Sequence, residues 1–143
     1  MARNGYDGTV TGDATIQGKL TVESIEVGTI TVNGHIVTAG NTPTGEVLGA
    51  AGTNAAYLID GNDTAGTLTI TTGTTAITAG DLVKITFDQQ FGKVPKIILS
   101  PQDEATSNAK IFPDSKTQID YMLRTSQVLP PNTTYTFDYF IVE

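Results

Sequence analysis

The sequence predicts an all-β protein, with an N-terminal trimeric intertwined β-shaft (β-prism or β-helix) followed by a small antiparallel β-sandwich knob. Three observations predict this class. An apolar–polar–apolar triplet returns every five or six residues between residues 14 and 32. Several C-terminal segments alternate apolar and polar residues, as half-buried strands do. No stretch of ten or more residues has apolar residues at helical spacing.

The chain of 143 residues has room for one small domain and an appendage. Changes in composition along it predict four regions. These are an attachment segment at residues 1–10, the shaft repeat at 11–39, a connector at 40–66 and the sandwich knob at 67–143.

The shaft prediction depends on the parity of its apolar positions. Ala14, Ile16, Leu20 and Val22 have even numbers, and Ile25 begins an odd pair. A flat strand keeps one parity because its side chains alternate with period two. Each change of parity therefore marks a corner where the chain turns. About four short strands of this kind cannot enclose a core on one chain. Three identical chains would complete it, with a trimer core of Ile16, Leu20, Val22, Ile25, Val27, Ile30, Val32 and Ile36. The alternative is a meander of short hairpins inside a larger sandwich.

The connector is predicted from its many Gly, Asn, Pro and small residues, which favour loops. Two short apolar pieces interrupt it, Val47–Leu48 and Tyr57–Ile59. They could form isolated strands or pack under the following domain.

The knob is predicted to contain about six strands. Alternation is clearest in the last one, where Tyr135, Phe137, Tyr139 and Ile141 share one face. The strand candidates are Thr67–Thr72, Leu82–Asp88, Lys96–Ser100, Ala109–Phe112, Gln118–Thr125 and Thr133–Val142. Short strands at this spacing indicate a small antiparallel sandwich.

The charge balance limits the classes of partner. The net charge is −7 and the isoelectric point is about 4.4. Nucleic-acid binding needs a basic stripe, and anionic membranes attract basic segments, so neither partner is predicted. No apolar run approaches the ~20 residues of a membrane-spanning helix, so membrane insertion is not predicted.

Several motifs resemble bacteriophage fibre and spike proteins. The stem motifs are GDATIQGKLTV and VGTITVNG, and the downstream motifs are DTAGTLTITTGT, VKITFDQQFGKVPKIILSP and TTYTFDYFIVE. The downstream part is also similar to the knobs of H-type lectins, which are trimeric β-sandwiches. The resemblance implies a structural virion surface protein, made in the host cytoplasm. It would be a short homotrimeric phage fibre or a capsid-decorating spike that helps host attachment. Its partners would be a capsid or tail protein, with Tyr6 as an attachment anchor.

The lectin resemblance implies a second function, in which the chain is a receptor-binding tail-fibre tip or a lectin-like adhesin for cell-surface glycans or proteins. Loops mounted on a rigid sandwich are common recognition sites. The candidate ligand-binding residues are Gln102, Asp103, Glu104, Asn108, Lys110, Asp114, Lys116 and Arg124. A bacterial surface adhesin is a further alternative, but neither an export signal nor a wall anchor is visible.

Enzymatic chemistry has little support in the sequence, so no catalytic residue and no cofactor is predicted. The chain has one His and no Cys, and His35 lies in the shaft repeat. Three inward copies of His35 would meet at the three-fold axis and could hold a metal or anion. An outward, solvated His is the alternative.

The Asp60–Thr64 loop groups oxygen ligands suited to calcium. The alternative is a turn in which the Asp and Asn side chains form hydrogen bonds with their own backbone. A hexapeptide-repeat enzyme would need more rungs and a catalytic His.

Overall fold

A computed structural model describes residues 12–75 and 77–143. The chain divides into two units, one ending at Ile36 and the other comprising Val37–Glu143. The described part of the first unit, residues 12–36, is called the triplet segment below. The second unit is called the sandwich. The predicted attachment segment, with Tyr6, lies outside the described residues.

The sandwich consists of two four-stranded antiparallel sheets. The first sheet has the strand order β1-β4-β7-β6 and the second has the order β2-β3-β8-β5. The strands are β1 (Thr44–Val47), β2 (Ala56–Gly61), β3 (Ala65–Thr71), β4 (Gly80–Thr86), β5 (Lys96–Pro101), β6 (Ile111–Asp114), β7 (Asp120–Thr125) and β8 (Thr134–Val142). The all-β prediction is confirmed, since the described helical structure is limited to a 3₁₀ turn at Gly49–Ala51 and the short helix α1 (Glu104–Asn108).

One core fills the space between the two sheets. In strand β8, residues that point into this space are buried, and they alternate strictly with outward residues that are exposed or half-buried. The strands of both sheets contribute buried residues to this core, chiefly Leu68, Ile70, Leu82, Val83, Ile85, Tyr121, Leu123, Tyr135, Phe137, Tyr139 and Ile141. No buried side-chain nitrogen or oxygen in the described residues lacks a hydrogen-bond partner. The sandwich therefore has a complete core within one chain.

Strand β4 departs from simple alternation. Leu82 and Val83 are adjacent, yet both are fully buried. The pairing of β4 with β7 shifts register between Asp81 and Val83. Such a bulge turns two successive side chains toward the same side, which lets both enter the core.

A close approach of two glycines fixes one end of the second sheet. Gly61 and Gly66 face each other across β2 and β3. A methyl group on Gly66 would collide with the Asp60 carbonyl and with the Tyr139 hydroxyl, 2.7 Å away. The Tyr139 hydroxyl donates to the Asn62 carbonyl at 2.6 Å. Only glycine leaves room for this buried hydrogen bond.

The structure differs from the prediction for residues 40–66. This range was expected to be a connector, but it contains β1, the 3₁₀ turn, β2 and the first residues of β3. The apolar pieces Val47–Leu48 and Tyr57–Ile59 lie at the end of β1 and within β2. Val47, Tyr57 and Ile59 pack against the core. Pairing with the longer strands β4 and β3 stabilises segments that would be too short alone.

Among the described residues, no helix is long and apolar enough to cross a membrane.

Candidate functional site

The triplet segment is an extended chain with regularly spaced bends. The backbone bends at Gly12, Gly18, Glu23, Gly28 and Asn33–Gly34. Each piece of chain between two successive bends holds one apolar–polar–apolar triplet. Gly18 has a φ of 114° and no atoms near its missing side chain. Glycine is suited to this corner because other residues rarely adopt that φ. The bends at Glu23 and Gly28 lie where the parity of the apolar positions changes, and those at Gly18 and Asn33–Gly34 lie between positions of the same parity.

All eight residues predicted to form a trimer core are exposed in the single chain. Their exposed fractions range from 47% for Val32 to 79% for Ile36. The set is Ile16, Leu20, Val22, Ile25, Val27, Ile30, Val32 and Ile36. Large apolar side chains exposed in this number favour contact with a partner. That three copies meet there remains a prediction.

The backbone of the triplet segment is also unpaired. Among the described residues, no backbone hydrogen bond joins two residues of 12–36, and no strand is formed there. Extended chain with free N–H and C=O groups is a template for pairing with another chain. The segment thus offers both apolar side chains and backbone groups to a partner.

His35 is exposed in the triplet segment. Within residues 12–75 and 77–143 no three metal-ligating side chains cluster around a common point. A site at a three-fold axis would need the other two copies, so the proposed ion remains a prediction.

The Asp60–Thr64 loop is organised as a turn. The Asn62 side-chain oxygen accepts from the backbone N–H groups of Thr64, at 2.9 Å, and Ala65, at 3.2 Å. Its amide nitrogen donates to the Thr38 hydroxyl at 3.0 Å. Asn62 therefore uses its polar atoms to hold the chain, which is the common role of Asn in turns.

An open cleft of about 230 Å³ lies at the end of the sandwich where the chain enters it. Asn41, Asp63, Asp88, Gln89 and Phe91 are among its lining residues. The Asp63 carboxylate accepts the backbone N–H groups of Asp88, at 2.9 Å, and Gln89, at 2.7 Å. The Asn41 amide donates to both oxygens of Asp88 at 3.2 Å. These carboxylates fix the loop after β4.

The first group of predicted ligand-binding residues lies around α1. Asp103 caps this helix, and its carboxylate accepts the Thr106 N–H at 2.6 Å. Hydrogen bonds from Thr106 hold the pKa of Asp103 below its usual value. The Gln102 side chain donates to Asp138 at 2.7 Å, and Glu104 is exposed in the first turn. The segment expected to be a polar loop is thus a capped helical turn.

The second group lies on the outer face of the first sheet. Arg124 pairs with Asp81 at 3.2 Å and with Asp114 at 3.7 Å. Lys84 and Asp120 form another ion pair at 2.9 Å. The Thr117 hydroxyl, and then Lys84, hold the pKa of Asp120 below its usual value. The structure therefore separates Asp114 and Arg124 from Gln102 and Asp103, which lie beside β8.

Two further predicted ligand-binding residues are exposed lysines outside the strands. Lys110 lies just before β6, and Lys116 lies between β6 and β7.

A second cleft, of about 240 Å³, lies at the opposite end of β8. Its lining includes Asn108, Gln127, Thr133 and Tyr135. The Gln127 amide donates to the Asn108 carbonyl at 2.8 Å, which ties α1 to the segment before β8. Only Asn108 of the predicted ligand-binding residues lines this cleft. Gln127 and Thr133 could not be found from the sequence, because they lie between β7 and β8 and only the fold brings them beside Asn108 of α1.

The buried tyrosines have the most strongly shifted pKa values. Burial, and then the Asp63 and Asp60 carboxylates, raise the pKa of Tyr139 to about 12. Burial also raises the pKa of Tyr121 well above its ordinary value. Tyr121 lies in the core between the two sheets.

Comparison with family models, with curated proteins and with solved structures finds no match to this chain. Its function therefore has to be inferred from its own geometry.

Proposed function

We propose that this chain is a non-enzymatic structural protein of a virion surface, acting as a short homotrimeric fibre or capsid-decorating spike. The triplet segment would be its shaft and the sandwich its knob. The observation that carries the proposal is the triplet segment itself. It presents apolar side chains and unpaired backbone at regular intervals, which a single chain leaves in water.

Identical copies are the simplest partners for a repeat of this kind. Every copy carries the same apolar spacing and the same corners, so three chains in register can bury each rung against its own counterparts. Burying eight apolar side chains per chain supplies a large driving force, since each contributes about 1.5–3 kcal/mol when fully buried. Interchain backbone hydrogen bonds would satisfy the extended pieces.

A structural role agrees with the nature of the polar groups in the sandwich. The titratable groups whose pKa values are shifted are core tyrosines, the helix cap Asp103 and the ion-paired Asp120, and the causes of the shifts are burial and hydrogen bonds within the fold. Perturbed groups gathered in a cleft would instead favour catalysis. The net charge of −7 per chain favours solubility of a densely repeated surface protein.

The second candidate is a receptor-binding tip for cell-surface glycans or proteins. The cleft of about 240 Å³ beside α1 favours it, because it lies at the end of β8 away from the residues by which the chain enters the sandwich. Its amide and hydroxyl groups can bond sugar hydroxyls, while Ala105, Ala109 and Pro130 supply apolar contact.

The proposal is tested on particles released by lysis of cells that express the chain. An antibody against the sandwich should label particles in electron micrographs, and the chain should remain with them through density-gradient purification. Recovery of the chain only in particle-free fractions would contradict the virion role. Loss of adsorption to host cells after Gln127→Ala, with normal particle assembly, would favour the receptor-binding candidate.

A further inference from the structure

The two outer faces of the sandwich have different chemistry. The outer face of the first sheet carries the ion pairs of Arg124 with Asp81 and Asp114, and of Lys84 with Asp120. Such a face is well solvated. The outer face of the second sheet carries threonines along β3 and, at one end, exposed apolar residues of β5 and β8. The first sheet exposes Phe112 on its outer face, at 41%, directly opposite Arg124, whereas the exposed apolar residues of β5 and β8 lie next to one another.

The apolar residues form one corner, which we call the Phe140 corner: Ile98, Phe140 and Val142. Phe140 lies directly opposite Ile98 in the pairing of β8 with β5, and Val142 is the next outward residue on β8. Their exposed fractions are 57% for Ile98, 46% for Phe140 and 37% for Val142. Lys96 lies opposite Val142 at the rim and has no ion pair within the described residues.

The corner lies at the end of the sheet where the chain enters the sandwich. The Ile141 N–H, between Phe140 and Val142 in sequence, donates to the Thr64 carbonyl at 2.7 Å. The same turn is bonded to Thr38 through Asn62, at 3.0 Å. Thr38 follows Ile36, the last residue of the predicted trimer core, by only two positions. Chains joined through their triplet segments would therefore bring copies of this end together.

We propose that the Phe140 corner is the contact between sandwiches of neighbouring copies in the assembled protein. This inference rests on the proposed homotrimer. Three side chains form a small surface, which would associate weakly between free molecules. Tethering by the shaft changes this, because a short link raises the effective concentration to the order of millimolar.

Leu58 provides a matched control on the same face. It is exposed to 65%, more than Phe140, and it projects outward from β2. In register it lies opposite Thr69, which pairs with Thr136, four residues before Phe140 on β8. If apolar exposure alone drove association, Leu58 would contact other copies as readily as the Phe140 corner does. If the contact is specific to the Phe140 corner, Leu58 stays outside the interface.

The test uses the full-length chain, which has no Cys of its own. Val142→Cys, treated with mild oxidant or a short bismaleimide, should yield covalently linked chains on a denaturing gel. Leu58→Cys should yield none under the same conditions. Adding Phe140→Lys to Val142→Cys should remove the cross-link while the shaft keeps the copies associated in solution.

The outcomes separate this inference from the proposed function. If light scattering shows an assembled protein but neither Val142→Cys nor Ile98→Cys cross-links, the corner is not the contact and the shaft proposal stands. If Leu58→Cys cross-links as well as Val142→Cys, the contact is non-specific and the inference is wrong. A monomer overturns both.

Discussion

The triplet segment and the sandwich use the same apolar residue types to opposite effect. In the sandwich, Ile70 and Leu82 are fully buried, whereas Ile30 in the triplet segment is exposed to 65%. The sandwich strands are four to nine residues long and pair with neighbours in the same chain. The triplet segment bends before a strand can extend and has no such neighbour. Strand length and available pairing, not apolar content, decide whether a β-rich sequence closes its own core.

The largest effect is expected from charge placed in the triplet segment. Ile30→Asp together with Val32→Asp should reduce the solution mass from three chains to one, because three copies of each carboxylate would enter a desolvated seam. Light scattering measures the mass, and circular dichroism should show an unchanged sandwich.

Thr31→Asp is the control for that variant. It places a carboxylate between the same two positions, but on the opposite side of the extended chain. The assembled mass should be kept. An assembled mass in the double variant would show that the apolar side of the triplet segment is not a seam.

A cavity in the core of the sandwich should destabilise the sandwich without changing assembly through the triplet segment. Leu68→Ala should lower the free energy of unfolding of the sandwich by about 2–5 kcal/mol, because Leu68 is fully buried between the sheets. Denaturant titration measures this loss, while the number of chains in the assembly should not change.

Thr69→Ala, on the outer face of the same strand, is the control and should change the free energy by less than about 0.5 kcal/mol. A change in the copy number caused by Leu68→Ala would show that the two regions are not energetically separate.

A smaller effect is expected from alkaline pH. The pKa of Tyr139 is raised from 10.0 to about 12 by burial and nearby carboxylates. An unfolded chain loses this proton near pH 10, while the folded chain keeps it. The stabilising contribution of neutral Tyr139 is therefore complete below pH 10 and is lost as the pH rises toward 12.

Tyr139→Phe should remove part of that alkaline dependence and the hydrogen bond to Asn62, at a cost of about 1 kcal/mol near neutral pH. Urea titrations at pH 7 and pH 11 measure both quantities. An identical pH dependence in Tyr139→Phe would assign the alkaline loss to other groups, such as Tyr121.

The sequence was informative where strands are long and alternate. All six predicted strands of the knob correspond to observed strands, and the clearest alternation, in β8, gives the most regular burial pattern. For β1 and β2 the sequence left two alternatives open, isolated strands or pieces packed under the next domain, because their Gly, Asn and Ala neighbours favour loops. The partner of β1 lies far along the chain, in β4, whereas β2 pairs with β3 across a short turn. Ile119, near the start of the predicted strand Gln118–Thr125, precedes β7 and is exposed to 50%.

Individual site residues were harder to predict than strands. The capping role of Asp103 could have been recognised, since Asp three residues before Thr106 is a common start of a short helix. The ion pairs of Arg124 depend on the register of three strands, which no local pattern determines. The apolar face of the triplet segment, by contrast, is visible in the spacing alone, because no long-range fold is needed to form its corners.

The central claim is that the triplet segment is completed by identical chains. Static light scattering on the purified full-length protein tests it most directly. We predict a mass near three times 15.0 kDa, which would show that the exposed repeat is an assembly surface. A mass near 15.0 kDa, independent of concentration, would contradict the claim.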